Sequence, residues 1–350
     1  MRAVVFASGG VEVAEVAEPK VLEPTDAVVE VSLSAICGSD LHLLDGKTPG
    51  MREGGVIGHE FVGHVVAAGA HAGAHPEGTR VVGSFLIVCG ACVPCRERRF
   101  NHCTERRALG LGTLTGDLDG AQAERVRVPV ADVNLTALTD AFAEILDEQA
   151  IFCGDVLATG IYAAHLAEGG PGDTVVVIGA GPVGLLCAAS VRALGARAIV
   201  LDADPHRVEF ARERMDLEAL DVSEADAGEA IAEATGGAMA AATIEAVGHV
   251  SAFRSAMRTT ANGGRVVIVG VYGSERYELP MGMAWIRGLD LRFSGMANVQ
   301  AHWIEALTQV ASGAIEPDAT ITHRMPLDEA VEGYRLFAAR EAMKVILTPS

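Results

Sequence analysis

Four cysteines lie close together in the segment CGACVPCRERRFNHC, namely Cys89, Cys92, Cys95 and Cys103. Zinc takes four sulfur or nitrogen ligands in a tetrahedron, and two-residue gaps let neighbouring cysteines turn back onto one ion. A pair of disulfides is the alternative, but the N-terminus MRAVVFASGG lacks the apolar core of a secretory signal. The spacing therefore predicts a structural zinc lobe over about residues 86–106, in which four thiolates leave no position open for a substrate.

A second pattern indicates binding of a dinucleotide. In VVVIGAGPVG a strand-like run is followed by G-x-G-x-x-G at the start of a helix, formed by Gly179, Gly181 and Gly184 with Pro182 and Val183 between them. The glycines allow a tight turn, close approach of the backbone to a pyrophosphate, and close packing of helix on strand. The helix N-terminus then presents free N–H groups to the phosphates.

The dinucleotide is predicted to be NAD. Asp202 ends the next strand-like run, AIVLD, eighteen residues after Gly184. A carboxylate at this place accepts hydrogen bonds from the ribose hydroxyls, whereas a 2′-phosphate would meet a like charge. Asp204 adds to that repulsion. Arg207, at the start of the following helix, is a further cofactor contact and, with His206, the group that would reach a 2′-phosphate instead.

A third group of residues suggests a second metal site. Cys37 follows a β-like run in AICGSDLHLLDG, and His59 with Glu60 begins another in VIGHEFVGHVV. Each residue also has an ordinary interpretation, because a free cysteine is often a small buried hydrophobe and a single histidine near a strand is often a core residue. Spacing alone leaves both interpretations open.

The elements that position these residues follow from hydrophobic periodicity. As far as about Phe152, short β-like runs alternate with glycine turns, which predicts a mostly antiparallel β lobe: RAVVF, DAVVEVSL, FVGHVVAAG, TRVVGSFLIV and AERVRVP. From about Cys153 to Phe293, buried strands alternate with helices, which is typical of a doubly wound parallel sheet. Two helical patterns follow, and a last strand, MKVILTP, is predicted to return to the first lobe.

Composition narrows the function classes. The 350 residues include 46 acidic and 27 basic side chains, for a formal charge of −19. This charge repels nucleic acid and anionic lipid, so neither is expected as a partner. The longest apolar tract, residues 174–201, is broken by glycines, Pro182 and Arg192 and does not predict a membrane span. The remaining cysteines, Cys37, Cys153 and Cys187, fit a reducing cytoplasm.

Taken together, C-G-S-D-x-H, G-H-E, the four-cysteine lobe and D-x-x-x-T-G before G-x-G-x-x-G resemble the zinc-containing alcohol dehydrogenases of the medium-chain dehydrogenase/reductase family. The resemblance covers nearly the whole chain in the family's motif order. It implies a GroES-like β-rich catalytic domain over residues 1–152 and 294–350. It also implies a Rossmann domain with a parallel sheet over residues 153–293.

By this resemblance Cys37, His59 and Asp155 are the ligands of a catalytic zinc, in addition to the structural one. Cys153, two residues before Asp155, is the competing third ligand. Glu60 corresponds to the family's carboxylate beneath the zinc. Asp40 would orient His59 through the ring nitrogen that faces away from the metal.

The resemblance also implies the reaction, a reversible hydride transfer between a zinc-bound alkoxide and NAD. Ser39 would take the hydroxyl proton, a ribose hydroxyl of the cofactor would pass it on, and His42 would deliver it to solvent. Phe85 would line the substrate pocket. The cofactor would contact four further residues, Thr159, Val269, Val271 and Lys344.

The resemblance indicates a class of substrate and an oligomeric state. The expected substrate is a small, fairly apolar alcohol, or its aldehyde or ketone, and a polyol or sugar-alcohol dehydrogenase is the alternative within the family. A zinc- and NAD-binding redox sensor without turnover is the alternative of another class, although a sensor does not need a proton relay. Family members form dimers or tetramers, and the compact chain favours a homotetramer.

Overall fold

The structure is a computed structural model that describes residues 1–8, 10–46, 50–273 and 277–349. The chain divides into two compact units, the first formed by Met1–Ala158 and Met296–Ser350 and the second by Thr159–Gly295. The sequence places the two boundaries at residues 152/153 and 293/294, six and two residues earlier than this division. The helix Val156–Ala167 contains the first boundary.

The first unit is built on a mixed seven-stranded sheet. In spatial order its strands are His323–Pro326, Val345–Thr348, Ala27–Ile36, Glu60–Ala68, Arg80–Gly83 and Leu135–Ala137, and Arg125–Val128 also pairs with Ala27–Ile36. Two small antiparallel pairs complete the β structure, Arg2–Ala7 with Gly10–Glu15 and Leu86–Ile87 with Arg107–Ala108. Its helices are Gly38–Leu44, Val93–Arg96, Ala131–Asn134, Asp147–Ala150, Val299–Ala311 and Ala330–Ala338.

The central strands of this sheet are those that carry the candidate ligands. Ala27–Ile36 and Glu60–Ala68 run antiparallel with Ala35 opposite Glu60. Cys37 therefore follows one strand, and His59 precedes the other, at the same end of the sheet. The core beneath is formed by alternate inward residues of these strands, including Val29, Val31, Phe61 and Val65, as period-2 burial requires.

The C-terminal segment returns to the first unit, as predicted. Val345–Thr348 pairs antiparallel with the end of the strand that precedes Cys37, with Val345 opposite Ile36. The helix Ala330–Ala338 packs its Tyr334 into the same apolar cluster as Ile36 and Val345. Residues more than 280 positions apart thus meet beside the candidate metal site.

The second unit is a six-stranded parallel sheet with helices between its strands. In spatial order the strands are Glu218–Asp221, Arg197–Asp202, Thr174–Ile178, Ala240–Glu245, Thr260–Ile268 and Asp290–Phe293. The helices are Pro182–Ala193, Pro205–Met215, Ala227–Ala234, Val250–Thr259 and Met281–Arg287. Successive strands are added first on one side of Thr174–Ile178 and then, from Ala240–Glu245 onwards, on its other side. This change of side marks the switch point where doubly wound folds bind ligands.

The predicted fold class is confirmed. The sequence analysis did not identify the short strands Gly10–Glu15, Glu218–Asp221 and His323–Pro326. Within the described ranges no single helix has the length and hydropathy of a membrane span, and only one bent pair, Asp147–Gly154 with Val156–Ala167, passes when both parts are counted together.

Candidate active site

Cys37, His59 and Asp155 meet at one end of the seven-stranded sheet. The Asp155 carboxylate oxygen Oδ2 lies 3.7 Å from Cys37 Sγ and 3.3 Å from His59 Nε2. Asp155 reaches the other two because Gly154 packs onto Gly83: an added Cβ at Gly154 would lie 2.1 Å from the Gly83 carbonyl oxygen. The first unit therefore brings together the three residues that the resemblance selects as ligands.

These donors fit a zinc ion. Bonds of about 2.0–2.3 Å in a tetrahedron place neighbouring donor atoms about 3.3–3.7 Å apart, and the two separations given above lie in that range. With Glu60, the three residues offer donor atoms that all lie within 4.8 Å of one another. Burial raises the pKa of the Cys37 thiol, and the negative charges of Glu60 and Asp155 raise it further. A bound cation would relieve this crowding of negative groups.

Ser39 and Phe85 border the same donor atoms. Ser39 Oγ lies 3.2 Å from His59 Nε2 and donates to Cys37 Sγ at 3.4 Å. The ring of Phe85 meets the ring of His59 edge-on, with 6.1 Å between centroids. His42 lies one turn beyond Ser39 in the helix Gly38–Leu44 and is half-buried. The predicted proton relay and pocket residue thus lie at or next to this site.

Asp40 lies on the far side of His59 from the donor cluster. Its Oδ1 is 3.1 Å from His59 Nδ1, and both side chains are buried. His59 Nε2 is therefore the ring nitrogen that faces Cys37 and Asp155, as expected for a histidine ligand held by a carboxylate.

Lys344 has a different partner from the predicted pyrophosphate. Its ammonium donates to Glu60 Oε1 at 2.6 Å, and the two side chains are 1% and 0% exposed. The ammonium also lies 5.7 Å from the centre of the Phe152 ring. The second oxygen of Glu60, Oε2, has no hydrogen-bond partner among the described residues. Glu60 thus has one oxygen fixed by Lys344 and one left to face the metal site.

The four-cysteine lobe forms a second set of donors. Cys92 Sγ lies 3.4 Å from Cys95 Sγ, and Cys103 Sγ lies 3.5 Å from Cys89 Sγ, with all four sulfurs within 4.8 Å of one another. All seven cysteines of the chain, each of them within the described ranges, are free of disulfides. The disulfide alternative is therefore wrong, and the tetrathiolate arrangement fits a structural zinc.

Backbone N–H groups surround these sulfurs. The N–H groups of Thr104 and Cys95 lower the pKa of Cys92 to about 6, which favours the thiolate that a metal requires. Asn298 fixes the lobe from the C-terminal segment, since its amide accepts from Phe100 N–H and donates to the Arg98 carbonyl, each at 2.9 Å.

In the second unit, the glycine turn has the shape that the sequence predicts. Gly179 has φ +103, and an added Cβ at Gly184 would lie 1.8 Å from the Gly179 carbonyl oxygen, so the helix packs directly onto the turn. The helix Pro182–Ala193 has no side-chain cap at its N-terminus, which leaves the N–H groups of Val183 and Gly184 available to a phosphate.

Asp202 and Arg207 lie beside this turn. Asp202 accepts from the Ala180 N–H at 2.7 Å and from the Asp204 N–H at 2.9 Å. An added Cβ at Gly181 would find only Arg207 Nη1 within 4 Å, at 3.9 Å. The space above Gly181 is therefore open and faces a guanidinium, which suits a pyrophosphate.

The remaining predicted cofactor residues also belong to the second unit. Thr159 lies in the helix Val156–Ala167 and is half-buried. The N–H of Val269 donates to the Glu245 carbonyl at 2.9 Å, so only its carbonyl is left for a ligand. Val271 is about half exposed at 49%.

Two residues at the metal site were missed. Gln122 and Tyr334 are both buried and contact Asp40, the former from the loop before Arg125–Val128 and the latter from the helix Ala330–Ala338. Neither stands in a motif, and each is 82 or more residues from Asp40 in sequence, so no spacing signal identifies them.

Comparison with known proteins identifies the family. Residues 23–138 match the model of the alcohol dehydrogenase GroES-like domain, and residues 182–312 match the model of the zinc-binding dehydrogenase. An alcohol dehydrogenase of Cupriavidus necator is 31% identical over 100% of this chain and 99% of its own length.

Solved structures agree with these matches. Alcohol dehydrogenase TADH from Thermus sp. ATN1 has a TM-score of 0.93 and 39% identity, with 99% of both chains covered. A zinc-binding dehydrogenase from Sinorhizobium meliloti 1021, solved with NADP, has a TM-score of 0.85 and 30% identity, again with 99% of both chains covered. With its ligand set, its glycine turn and relatives along its whole length, the chain belongs to the zinc-containing alcohol dehydrogenases of the medium-chain dehydrogenase/reductase family of oxidoreductases.

Proposed function

We propose that this oxidoreductase is a zinc- and NAD-dependent dehydrogenase of small primary or secondary alcohols that also reduces the corresponding aldehydes or ketones. The observation that carries the proposal is the convergence of Cys37, His59 and Asp155, three zinc donors with Ser39 beside them. Three protein ligands leave a fourth position for a substrate, whereas the four-cysteine lobe is closed.

When bound, the zinc supplies Lewis acidity that lowers the pKa of a substrate hydroxyl. The chain's own residues orient the substrate and move its proton. Ser39 would accept the hydroxyl proton while it donates its own to a ribose hydroxyl of the bound cofactor, and His42, a side-chain type with an ordinary pKa of about 6.5, would deliver a proton to solvent. Phe85, packed on His59, gives the pocket an apolar wall. A bound NAD would supply the hydride acceptor, so the alcohol would be oxidised as the dinucleotide is reduced.

NAD is the proposed cofactor because of Asp202. Its carboxylate lies against the glycine turn through the Ala180 N–H, where it meets the adenosine ribose of a bound dinucleotide. A 2′-phosphate would face this charge and that of Asp204. The relative from Sinorhizobium meliloti binds NADP, and Arg207 beside Gly181 is the group that would favour it here.

Two zinc ions per chain and a cytoplasmic location complete the proposal. The tetrathiolate lobe supports the structural ion, and the three-ligand site supports the catalytic one. Seven free cysteines, two of which, Cys153 and Cys187, are fully buried, support a reducing compartment.

A polyol or sugar-acid substrate is the second candidate. L-galactonate-5-dehydrogenase of Escherichia coli is 29% identical over 92% of both chains. Phe85 gives the site an apolar wall, which favours a simple alcohol over a polyol or a sugar acid.

The test is NADH formation at 340 nm over a panel of simple alcohols, polyols and sugar acids, with NAD and NADP in parallel, on protein of measured zinc content. We expect about two zinc ions per chain, turnover of simple alcohols, and a kcat/KM for NAD that exceeds that for NADP by at least about tenfold, because a charge interaction that shifts a pKa by one unit is worth about 1.4 kcal/mol. Asp202→Ala should reduce this preference.

Three results would contradict the proposed substrate, the proposed cofactor and the proposed activity, respectively. Faster turnover of polyols or sugar acids than of simple alcohols would support the second candidate instead. An unchanged cofactor preference in Asp202→Ala would remove the argument for NAD. Two bound zinc ions and bound NAD with no oxidation of any alcohol would favour the redox sensor.

The same proposal includes assembly as a homotetramer. Asp290–Phe293 is the last strand of the six-stranded sheet and pairs on one side only with the described strands. Nearby segments expose large apolar side chains, with Trp285 81%, Ile286 77% and Phe293 72% exposed. An unpaired strand edge and apolar side chains of this kind typically pair with another chain, and a second copy supplies an identical edge by two-fold symmetry.

This edge pairs two copies, and the homotetramer that the compact chain favours would join two such pairs, so light scattering should give a mass of four times the 36.3 kDa chain. Trp285→Glu should lower that mass to the dimer or the monomer, because a charge would be buried in the interface. Leu22→Glu, at another exposed apolar side chain (68% exposed), is the matched control and should keep the wild-type mass. A monomeric wild type, or a tetramer unaffected by Trp285→Glu, would contradict the proposed interface.

A further inference from the structure

The carboxylate of Asp40 is held by a buried hydrogen-bond network that includes two residues outside the donor cluster, Gln122 and Tyr334. Asp40 is fully buried, and its Oδ2 accepts from Cys37 N–H at 3.0 Å, Gln122 Nε2 at 3.3 Å and the Tyr334 hydroxyl at 3.2 Å. Its other oxygen faces His59. One oxygen is thus fixed by three donors, while the second lies 3.1 Å from His59 Nδ1.

The directions of these hydrogen bonds follow from Gln122. Its Nε2 donates to the Ala35 carbonyl at 2.9 Å, which only an amide N–H can do, so its Oε1 points the other way. That Oε1 lies 2.9 Å from the Tyr334 hydroxyl, which must donate. Burial raises the pKa of Tyr334, and the negative charge of Asp40 raises it further, so the hydroxyl keeps its proton. Its single hydrogen is shared between Gln122 and Asp40.

We propose that Tyr334 and Gln122 are positioning residues, which fix the Asp40 carboxylate and through it hold His59 in the orientation that binds the catalytic metal. The inference rests on the proposed function, because it assigns a role towards the zinc that Cys37, His59 and Asp155 would hold. Both residues hydrogen-bond the Asp40 carboxylate, and we expect them to act through it.

Because the network is buried, the loss of one of its hydrogen bonds is costly. Gln122 and Asp40 are 0% exposed, and Tyr334 is 4% exposed. In an interior without water a carboxylate that loses a donor is not compensated by solvent. The backbone is also shaped for Gln122: Gly58, next to His59, has φ +86, and an added Cβ there would lie 2.3 Å from Gln122 Cγ. A shift of Gln122 would therefore be transmitted to the segment that carries His59.

The test measures the rate at which zinc leaves the protein to an excess of a coloured chelator, a readout that does not involve turnover. The full chain is loaded with zinc, and the phase that belongs to the catalytic site is identified by its loss in Cys37→Ala. We expect Tyr334→Phe and Gln122→Met each to increase the rate of that phase about tenfold, because loss of such supporting partners weakens metal binding 10–100-fold. The phase of the four-cysteine lobe should not change.

A double variant separates positioning from packing. Phenylalanine and methionine keep volumes close to those of tyrosine and glutamine, so packing is largely retained while both side-chain donors to Asp40 are lost. Tyr334→Phe/Gln122→Met should therefore still release zinc about tenfold faster than the wild type, and the loss of donors to the buried carboxylate should also lower its folding stability. A release rate within twofold of wild type in the double variant would show that the residues only pack, and would overturn the inference.

Tyr272→Phe is the matched control. It removes a tyrosine hydroxyl that donates to a buried carboxylate, Glu245 Oε2, at 3.0 Å in the second unit. Its zinc release should equal that of the wild type, and an increase equal to that of Tyr334→Phe would also overturn the inference. If Cys37→Ala loses no zinc phase at all, the proposed metal site itself fails, which is a separate outcome.

Discussion

Replacement of Cys37 by alanine is expected to remove one of two zinc ions per chain and to lower kcat/KM for the alcohol by at least about a thousandfold. A metal that acts as a Lewis acid is worth several kcal/mol to the transition state, and each 1.4 kcal/mol is about tenfold in rate. Cys37 supplies the only sulfur among the donor atoms that meet at this site. Zinc content and initial rates on the same preparation measure both effects.

Cys153→Ala is the control for this variant. Cys153 lies two residues before Asp155 and is fully buried, and burial alone raises the pKa of its thiol. The donor cluster contains Asp155 and not Cys153. We therefore expect Cys153→Ala to keep both zinc ions and a kcat/KM within a few-fold of wild type. Loss of a zinc ion in this variant would instead make Cys153 the third ligand.

The four-cysteine lobe allows the two zinc ions to be distinguished. In Cys37→Ala the remaining zinc should stay bound to the tetrathiolate, so the protein should keep its fold while activity is lost. A variant that loses both ions would indicate that the first unit had unfolded. Its lost activity would then not test the role of Cys37 as a zinc ligand. Retention of full activity with one zinc would contradict a catalytic metal at Cys37.

The elements around these ligands are predictable from sequence because their signals are local. Short apolar β-like runs identify Ala27–Ile36 and Glu60–Ala68, and the glycine turn after Thr174–Ile178 is identified by residues that are adjacent in the chain. The four cysteines lie within fifteen residues, so their spacing alone restricts the geometry. The strand Glu218–Asp221 was missed because it has only four residues and buries few of them.

The contacts that support the ligands are not local. Tyr334 lies 294 residues from Asp40, and Lys344 lies 284 residues from Glu60. A lysine near the C-terminus carries no sequence signal for a carboxylate that far away, and family resemblance suggested a phosphate. Only the return of Val345–Thr348 to the central sheet brings the ammonium of Lys344 to Glu60.

Lys344→Met is therefore expected to destabilise the first unit by about 3–5 kcal/mol, because breaking a buried ion pair leaves one charge without a partner. The pair is direct, at 2.6 Å, and neither side chain is more than 1% exposed. Burial by itself would lower the pKa of Lys344, but the negative charge of Glu60 raises it, so the ammonium stays charged. Without it, Glu60 would lose its hydrogen-bond donor, and its pKa, already raised by burial and by the negative charge of Asp155, would rise further.

The measurement is urea unfolding followed by tryptophan fluorescence, and Lys20→Met is the matched control. Lys20 is exposed, and its replacement should change stability by no more than about 0.5 kcal/mol. Lys344→Met should shift the midpoint of the first unit to lower urea. A shift no larger than that of Lys20→Met would mean that the pair contributes nothing to folding.

Glu60→Gln combined with Lys344→Met tests the cause of that shift. Removal of both charges leaves no unpaired ion, so the double variant should regain most of the stability that Lys344→Met loses. Bound zinc should reduce the loss in Lys344→Met, because Glu60 can then face a cation through Oε2. A double variant as unstable as Lys344→Met would attribute the loss to packing of the lysine stem against Phe152 rather than to charge.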